Sequence, residues 1–231
     1  MLGGNLFGVS SFLLGLGDAQ LAAALRLDVL IPVRGYRRCY DAGNGYEFLY
    51  PAAWLADQRL YRRYAVRVES PIDPPSLRDA ARARVRAVAE PSAAFGPAGG
   101  SGEENISVIV APIREGFRLE GMGSPEQAGR DFLANTVAPA GSDRRAELLG
   151  ASSRVDAGGE LYYTMEFTVS SPRFARHNLA AYAARNGLLY TLNCQCAERD
   201  WARDEEGFRR AAASFAIISS GAGAAGFPDR L

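Results

Sequence analysis

Residues 176–201 read RHNLAAYAARNGLLYTLNCQCAERDW, and this stretch decides the fold. Asn186-Gly187 at its centre suits a two-residue type I′ turn, whose two central positions both need positive φ. If that turn forms, partner residues across the hairpin are fixed: Ala183 faces Tyr190, Leu179 faces Cys194, and His177 faces Cys196. Side chains alternate along a strand. One face therefore carries His177, Leu179, Ala181, Ala183, Tyr190, Leu192, Cys194 and Cys196, and it has the composition of a core. Beyond the hairpin, Trp201, Phe208, Ala212 and Phe215 recur at near-helical spacing, which predicts a closing helix from Asp200 to about Phe215.

Working outward, residues 160–169 alternate, with Leu161, Tyr163, Met165, Phe167 and Val169 on the side expected to be buried. Ser124-Pro125-Glu126-Gln127 has a helix start written into it: Ser as N-cap, Pro at the first position, Gln three residues on to complete a capping box. Ala128, Phe132, Leu133 and Val137 then share a face, and Pro139 marks the end. Asn105–Pro112, NISVIVAP, is rich in β-branched residues and reads as a strand. An antiparallel meander with helices before and after it predicts an α+β domain, layered αβα, with a central antiparallel sheet.

The remaining segments divide the chain. Pro and Gly cluster at Pro71–Pro75 and at Pro91–Gly102 (PSAAFGPAGGSG), which predicts surface loop across an insertion at 71–102. Between them RDAARARVRAVAE has helical propensity. Residues 59–86 hold eight arginines and three acids, among them Arg59, Arg62, Arg63 and Arg67. That is either a solvated basic face or a salt-sensitive contact for an acidic partner. Residues 1–17 carry no charge and include Leu6, Phe7, Phe12, Leu13 and Leu14. Two readings stay open for them: the apolar core of a translocation signal, or a retained arm that packs on a partner. The expected organisation is an N-terminal arm or targeting segment at 1–39, a domain at 40–218 and a tail at 219–231.

Composition closes off several chemistries. The 231 residues hold 26 basic and 26 acidic side chains, so no overall field draws the chain to nucleic acid. Every basic residue is arginine, which removes lysine Schiff bases, lysine general bases and the P-loop lysine. His177 is the single histidine, and two- or three-histidine zinc sites within one chain are excluded with it. The three cysteines, Cys39, Cys194 and Cys196, leave several readings open: unpaired core thiols, a disulfide from Cys39 to one of the pair, or a Cys₃His zinc set with His177. Cys194 and Cys196 lie two apart on a strand, roughly 6.5–7 Å between Cα atoms, and Cys39 would have to come from a distant segment. A Cys196–His177 nucleophile is formally available, with no evident third group to orient the imidazole.

Taken in order, DAGNGYEFLYPAAW at 41–54, NISVIVAPI at 105–113, GSPEQ at 123–127, LYYTMEFTV at 161–169, the 176–201 hairpin and AAASF at 211–215 resemble the PsbP-domain family, over roughly residues 40–218. That family is named for an extrinsic lumenal protein of photosystem II. The arm and the 71–102 insertion make the chain look closer to the family's paralogues than to the extrinsic subunit itself. The resemblance implies a central antiparallel sheet between helices, residence in the thylakoid lumen peripheral to the membrane, and no catalysis. It implies a partner among the lumenal faces of photosystem core subunits, photosystem II first and photosystem I as the alternative, with the chain a monomer inside a larger complex. It also implies the possibility of calcium or another divalent metal at His177. A redox-regulated free lumenal protein, switched at Cys39, is the reading from a different class.

Overall fold

The Asn186-Gly187 turn forms with the register its sequence predicts. In a computed structural model that describes residues 27–56, 91–100 and 102–218, strands β8 (Phe174–Arg185) and β9 (Leu188–Ala197) pair antiparallel with Arg185 opposite Leu188 and His177 opposite Cys196. Asn186 has φ 52° and Gly187 φ 73°, the two positive values that the type I′ turn requires. A Cβ added at Gly187 meets nothing within 4 Å, so Gly187→Ala should act through backbone strain alone. A loss of about 1–2 kcal/mol is expected, read from the midpoint of denaturant unfolding, with Gly187→Asn losing less.

The other strands, in chain order, are β1 (Tyr36–Asp41), β2 (Tyr46–Pro51), β3 (Trp54–Ala56), β4 (Pro91–Pro97), β5 (Asn105–Pro112), β6 (Arg145–Val155), β7 (Leu161–Ser171) and β10 (Ala216–Ile217). Helix α1 spans Pro125–Phe132 and α2 spans Trp201–Ser214. Seven strands form one sheet in the order β3-β4-β5-β9-β8-β7-β6, and β1-β2-β10 form a second, smaller one. The paired strands of both sheets are antiparallel.

Both faces of the large sheet are covered, each by its own core. On the first face Tyr46 and Phe48 of the small sheet, Phe208 of α2 and Phe215 cluster with Tyr162, Leu179, Ala181, Leu192, Cys194 and Cys196. On the second, Leu119, Ala128 and Leu133 cluster with Tyr163, Met165, Phe167, Val169 and Ala180. β7 thus buries alternate residues against the second core, as its pattern predicts, while Tyr162 is buried in the first. The architecture is α+β, with α1 on one face and α2 and the small sheet on the other.

The predicted helix start at Ser124 is half realised. Ser124 Oγ accepts from the Gln127 backbone N–H at 3.2 Å, but the Gln127 amide donates to Asp131 at 2.8 Å instead of reaching back. Helix α1 widens into a π-helical turn at Leu133–Val137. That keeps Leu133 buried before the chain turns away.

Two expectations need correcting. Pro91–Gly102 is not surface loop throughout: β4 pairs with both β3 and β5, and Ala93 and Ala94 are buried. Composition is overridden by tertiary context. Phe95 stacks on Tyr50 at 4.0 Å between ring centroids and meets Phe48 edge-on at 5.9 Å, and the irregularity between Pro91 and Ala93 accommodates the proline. The second correction is at the arm's expected boundary, residue 39. β1 runs through it, and Asp28 is already bonded to Arg38. The 78–90 segment with helical propensity lies outside the described residues.

The strand that follows α2 is tied in by the first core's polar atoms. β10 pairs with β2, the Ile217 N–H donates to Tyr162 Oη at 2.8 Å, and Tyr162 Oη donates to Asp156 at 2.9 Å. Arg154 donates to the Phe215 carbonyl and lies 3.8 Å over the Tyr162 ring.

Candidate functional site

His177 is where the elements converge. It sits on β8 opposite Thr168 of β7 and Cys196 of β9, only 3% exposed. Its Nδ1 lies 3.0 Å from Glu198 Oε2, and its Nε2 lies 3.1 Å from Glu166 Oε1. The ring stacks on Trp201, with centroids 3.6 Å apart and planes within 8°. Arg209 of α2 donates through Nη2 to both oxygens of Glu166, at 2.9 and 3.1 Å, and through Nε to Glu205 at 2.7 Å. The Glu205 hydrogen bond raises the Arg209 guanidinium pKa; burial opposes it, and Glu166 adds to the rise.

This arrangement locks α2 to the sheet: β7 supplies Glu166, β8 supplies His177, the turn before α2 supplies Glu198, and α2 supplies Trp201 and Arg209. Both imidazole nitrogens are engaged by carboxylates, and a neutral imidazole can donate to only one of them. Neither nitrogen is left to take a proton from a substrate, which is what a general base needs. Glu166 and Glu198 meet opposite nitrogens of the ring, so with His177 they do not converge as a zinc set. Zinc needs nitrogen and oxygen ligands at about 2.0–2.2 Å from three or four residues. Among the described residues, no group of three or more His, Cys, Asp or Glu is placed to hold an ion.

The cysteines are three free thiols. Cys194 and Cys196 are fully buried in the first core, and Cys39, facing Phe48 across β1 and β2, packs against the same cluster. Burial, with Asp41 nearby, pushes the Cys39 thiol up to about 12. Burial, followed by Asp204, Glu104 and Asp200, pushes Cys196 up to about 12, and burial pushes Cys194 up as well. The thiolate is the reactive species, so burial and the raised pKa both disfavour reaction of these groups at neutral pH. Alkylation of the native chain should therefore leave all three unmodified while the denatured chain takes three labels. Rapid native labelling at one position, or a mass short by two hydrogens, would contradict this.

A second charged cluster lies on the small sheet. Arg38 of β1 grips Asp28 with three hydrogen bonds of 2.8–3.0 Å and reaches Glu47 of β2 at 2.9 Å. Asp28 is 4% exposed. Neither residue belongs to a periodic pattern, so the sequence offered no signal for the pair. Glu166 and Arg209 were equally missed, although the two-residue connection at Pro172-Arg173 would have placed Thr168 opposite His177 and Glu166 opposite Leu179. The arm residues Leu6, Phe7, Phe12, Leu13 and Leu14 and the basic residues Arg59, Arg62, Arg63 and Arg67 lie outside the described residues.

Comparison with known proteins agrees with this architecture. The PsbP family model matches residues 34–217. PsbP domain-containing protein 7, chloroplastic, from Arabidopsis thaliana is 42% identical over 223 residues, covering 94% of this chain and 78% of that protein. CyanoP from Thermosynechococcus vestitus is 31% identical over 188 residues, covering 79% of this chain and 86% of its own. The solution structure of CyanoP from Synechocystis sp. PCC 6803 superposes with a TM-score of 0.55 at 26% identity, covering 82% of this chain and 96% of that one. With the family pattern running from just before β1 to the end of β10 on a shared fold, the chain belongs to the PsbP family.

Proposed function

We propose that this chain is a non-enzymatic PsbP-domain protein of the thylakoid lumen that works by docking on a photosystem, photosystem II first, as an extrinsic subunit or an assembly and stability factor. The observation that carries the reading is the 42% identity to a chloroplastic PsbP domain-containing protein across 94% of the chain. The site chemistry supports it. The chain's single histidine is enclosed by two carboxylates and an indole, and of its three thiols Cys194 and Cys196 are buried while Cys39 is half-buried against the same core. These groups hold elements together; they do not present a reacting atom. No helix among the described residues is long and apolar enough to cross a membrane, which suits a peripheral protein.

Docking through the N-terminal arm is part of the proposal, because residues 1–17 are apolar and uncharged. A chain beginning at Leu27 should keep the fold and lose association with thylakoid membranes stripped of the native protein. The full chain should rebind. Equal rebinding by both would exclude the arm as the docking element.

A further inference from the structure

Four tyrosines are buried among the described residues, and three of them spend their hydroxyls on the fold. Tyr46 meets Ser92 at 2.9 Å, Tyr162 donates to Asp156 at 2.9 Å, and Tyr163 donates to the Gly123 carbonyl at 2.7 Å. The fourth, Tyr190, is only 5% exposed, yet its hydroxyl makes no hydrogen bond among the described residues. A buried polar group is nearly always paired, and each exception needs a reason.

The reason lies at one end of the space between the two sheets, where three chain segments meet. The β1–β2 turn, the β8–β9 turn and the residues after β10 line a cleft of about 450 Å³, with Tyr190 among its walls. The Ile218 N–H donates to the Gly45 carbonyl at 2.9 Å and joins two of these segments. Gly45 has φ 78°, and a Cβ there would sit 3.4 Å from the Ile218 carbonyl oxygen and 3.8 Å from Tyr190 Oη. The hydroxyl thus lies behind a turn that has no side chain to cover it. Leu188, Ile217 and Ile218 supply branched aliphatic wall around it.

The charges nearby are balanced. Of the lining residues Arg185 alone is charged, and its Nε lies 3.8 Å from Glu160. Asp41, below the β1–β2 turn, accepts from both the backbone and the side-chain nitrogen of Asn44, at 2.9 and 2.7 Å. Burial raises the pKa of the Tyr190 hydroxyl, with Arg185 opposing and Glu160 adding to the rise, so the group keeps its proton and stays a donor.

We propose that this cleft is a binding site for a small neutral molecule, one with an apolar ring or chain and a carbonyl or hydroxyl oxygen that accepts from Tyr190. Its volume lies within the range of ligand sites, and aliphatic walls around a few placed polar groups are their usual form. A charged ligand would give up its hydration without meeting an unpaired opposite charge. A flat protein surface does not reach a hydroxyl recessed behind Gly45. The inference is independent of docking on a photosystem.

The test is an amide NMR titration of the full chain with cyclohexanone, and with cyclohexanecarboxylate and cyclohexylammonium as charged analogues of the same ring. Cyclohexanone should give saturable shifts at the amides of Gly45, Gly187 and Ile218, and the two ions should bind about ten-fold more weakly or less. Tyr190→Phe removes the donor and keeps the ring, so cyclohexanone affinity should fall about two- to ten-fold with melting unchanged. A Cβ at Gly43 would meet only Asp41 Oδ1, at 3.5 Å, so Gly43→Leu should fold normally and, by filling the mouth of the cleft, abolish the saturable shifts. Shifts that stay linear with concentration overturn the proposal, as does equal affinity in Tyr190→Phe. Equal or tighter binding of either ion overturns the neutral class of ligand. Gly43→Leu that loses photosystem comigration, with the native cleft amides unmoved by cyclohexanone, would make the cleft a protein contact instead.

Discussion

Arg38→Ala is expected to lower the stability of the domain by about 3–5 kcal/mol, the range for breaking a buried ion pair by removing one partner. The cause is Asp28. Its carboxylate is almost wholly enclosed and receives three hydrogen bonds from one guanidinium, so the truncation strands a desolvated charge. Glu47, 15% exposed at the side chain, loses its contact at the same time. Arg38→Lys should recover only a small part, because an ammonium cannot reproduce the two-pronged grip. Removing both partners in an Asp28→Leu/Arg38→Met chain should be milder than Arg38→Ala alone, since the enclosed Asp28 charge goes with its partner and only the Glu47 contact is lost uncompensated. Denaturant unfolding of the four chains is the check. A loss below about 1 kcal/mol for Arg38→Ala would place this pair with ordinary surface ion pairs.

The second large effect is at the α2 lock. His177→Ala removes an imidazole that touches Glu166, Glu198 and Trp201 at once and leaves a hole in the first core. About 2–4 kcal/mol is expected, with a red shift of Trp201 fluorescence as its stacked face is uncovered. The neighbouring substitutions should rank by exposure. Glu198, 46% exposed, turns into water when unpaired, and Glu198→Gln should cost under about 0.5 kcal/mol. Glu166 is 17% exposed and shared with Arg209, so Glu166→Gln should cost several times more. His177→Phe keeps the stack but offers the carboxylates nothing, and it should fall near the alanine variant. Equal, small losses at all four would mean that α2 is held by Phe208 and its neighbours alone.

The parts of the fold that were legible in the sequence share a local cause. Asn186-Gly187 admits one tight turn, and a tight turn fixes every pair along β8 and β9. The alternation at 161–169 and the Ser-Pro-Glu-Gln helix start likewise need no knowledge of distant segments. β4 was illegible for the opposite reason. Its alanines, glycine and prolines carry no periodicity, and what makes it a strand is the arrival of β3 on one side and β5 on the other. The same division runs through the site. An inward-facing His177 followed from the hairpin register, but Glu166, Glu198 and Trp201 meet it, and Arg209 meets Glu166, only once β7 pairs with β8 and α2 folds back. Asp28 and Arg38, ten residues apart in a stretch read as an arm, meet because a short helical turn packs against β1.

Function was legible through family resemblance more than through chemistry. The composition excluded whole classes of catalysis, and the structure then shows the remaining histidine and thiols in roles that hold the sheet, the small sheet and α2 together. The most direct test is native fractionation of gently solubilised thylakoids with immunodetection of this protein. Comigration with a photosystem, photosystem II first, is the expected result and names the partner. Recovery only in the free lumenal fraction would contradict a docking protein.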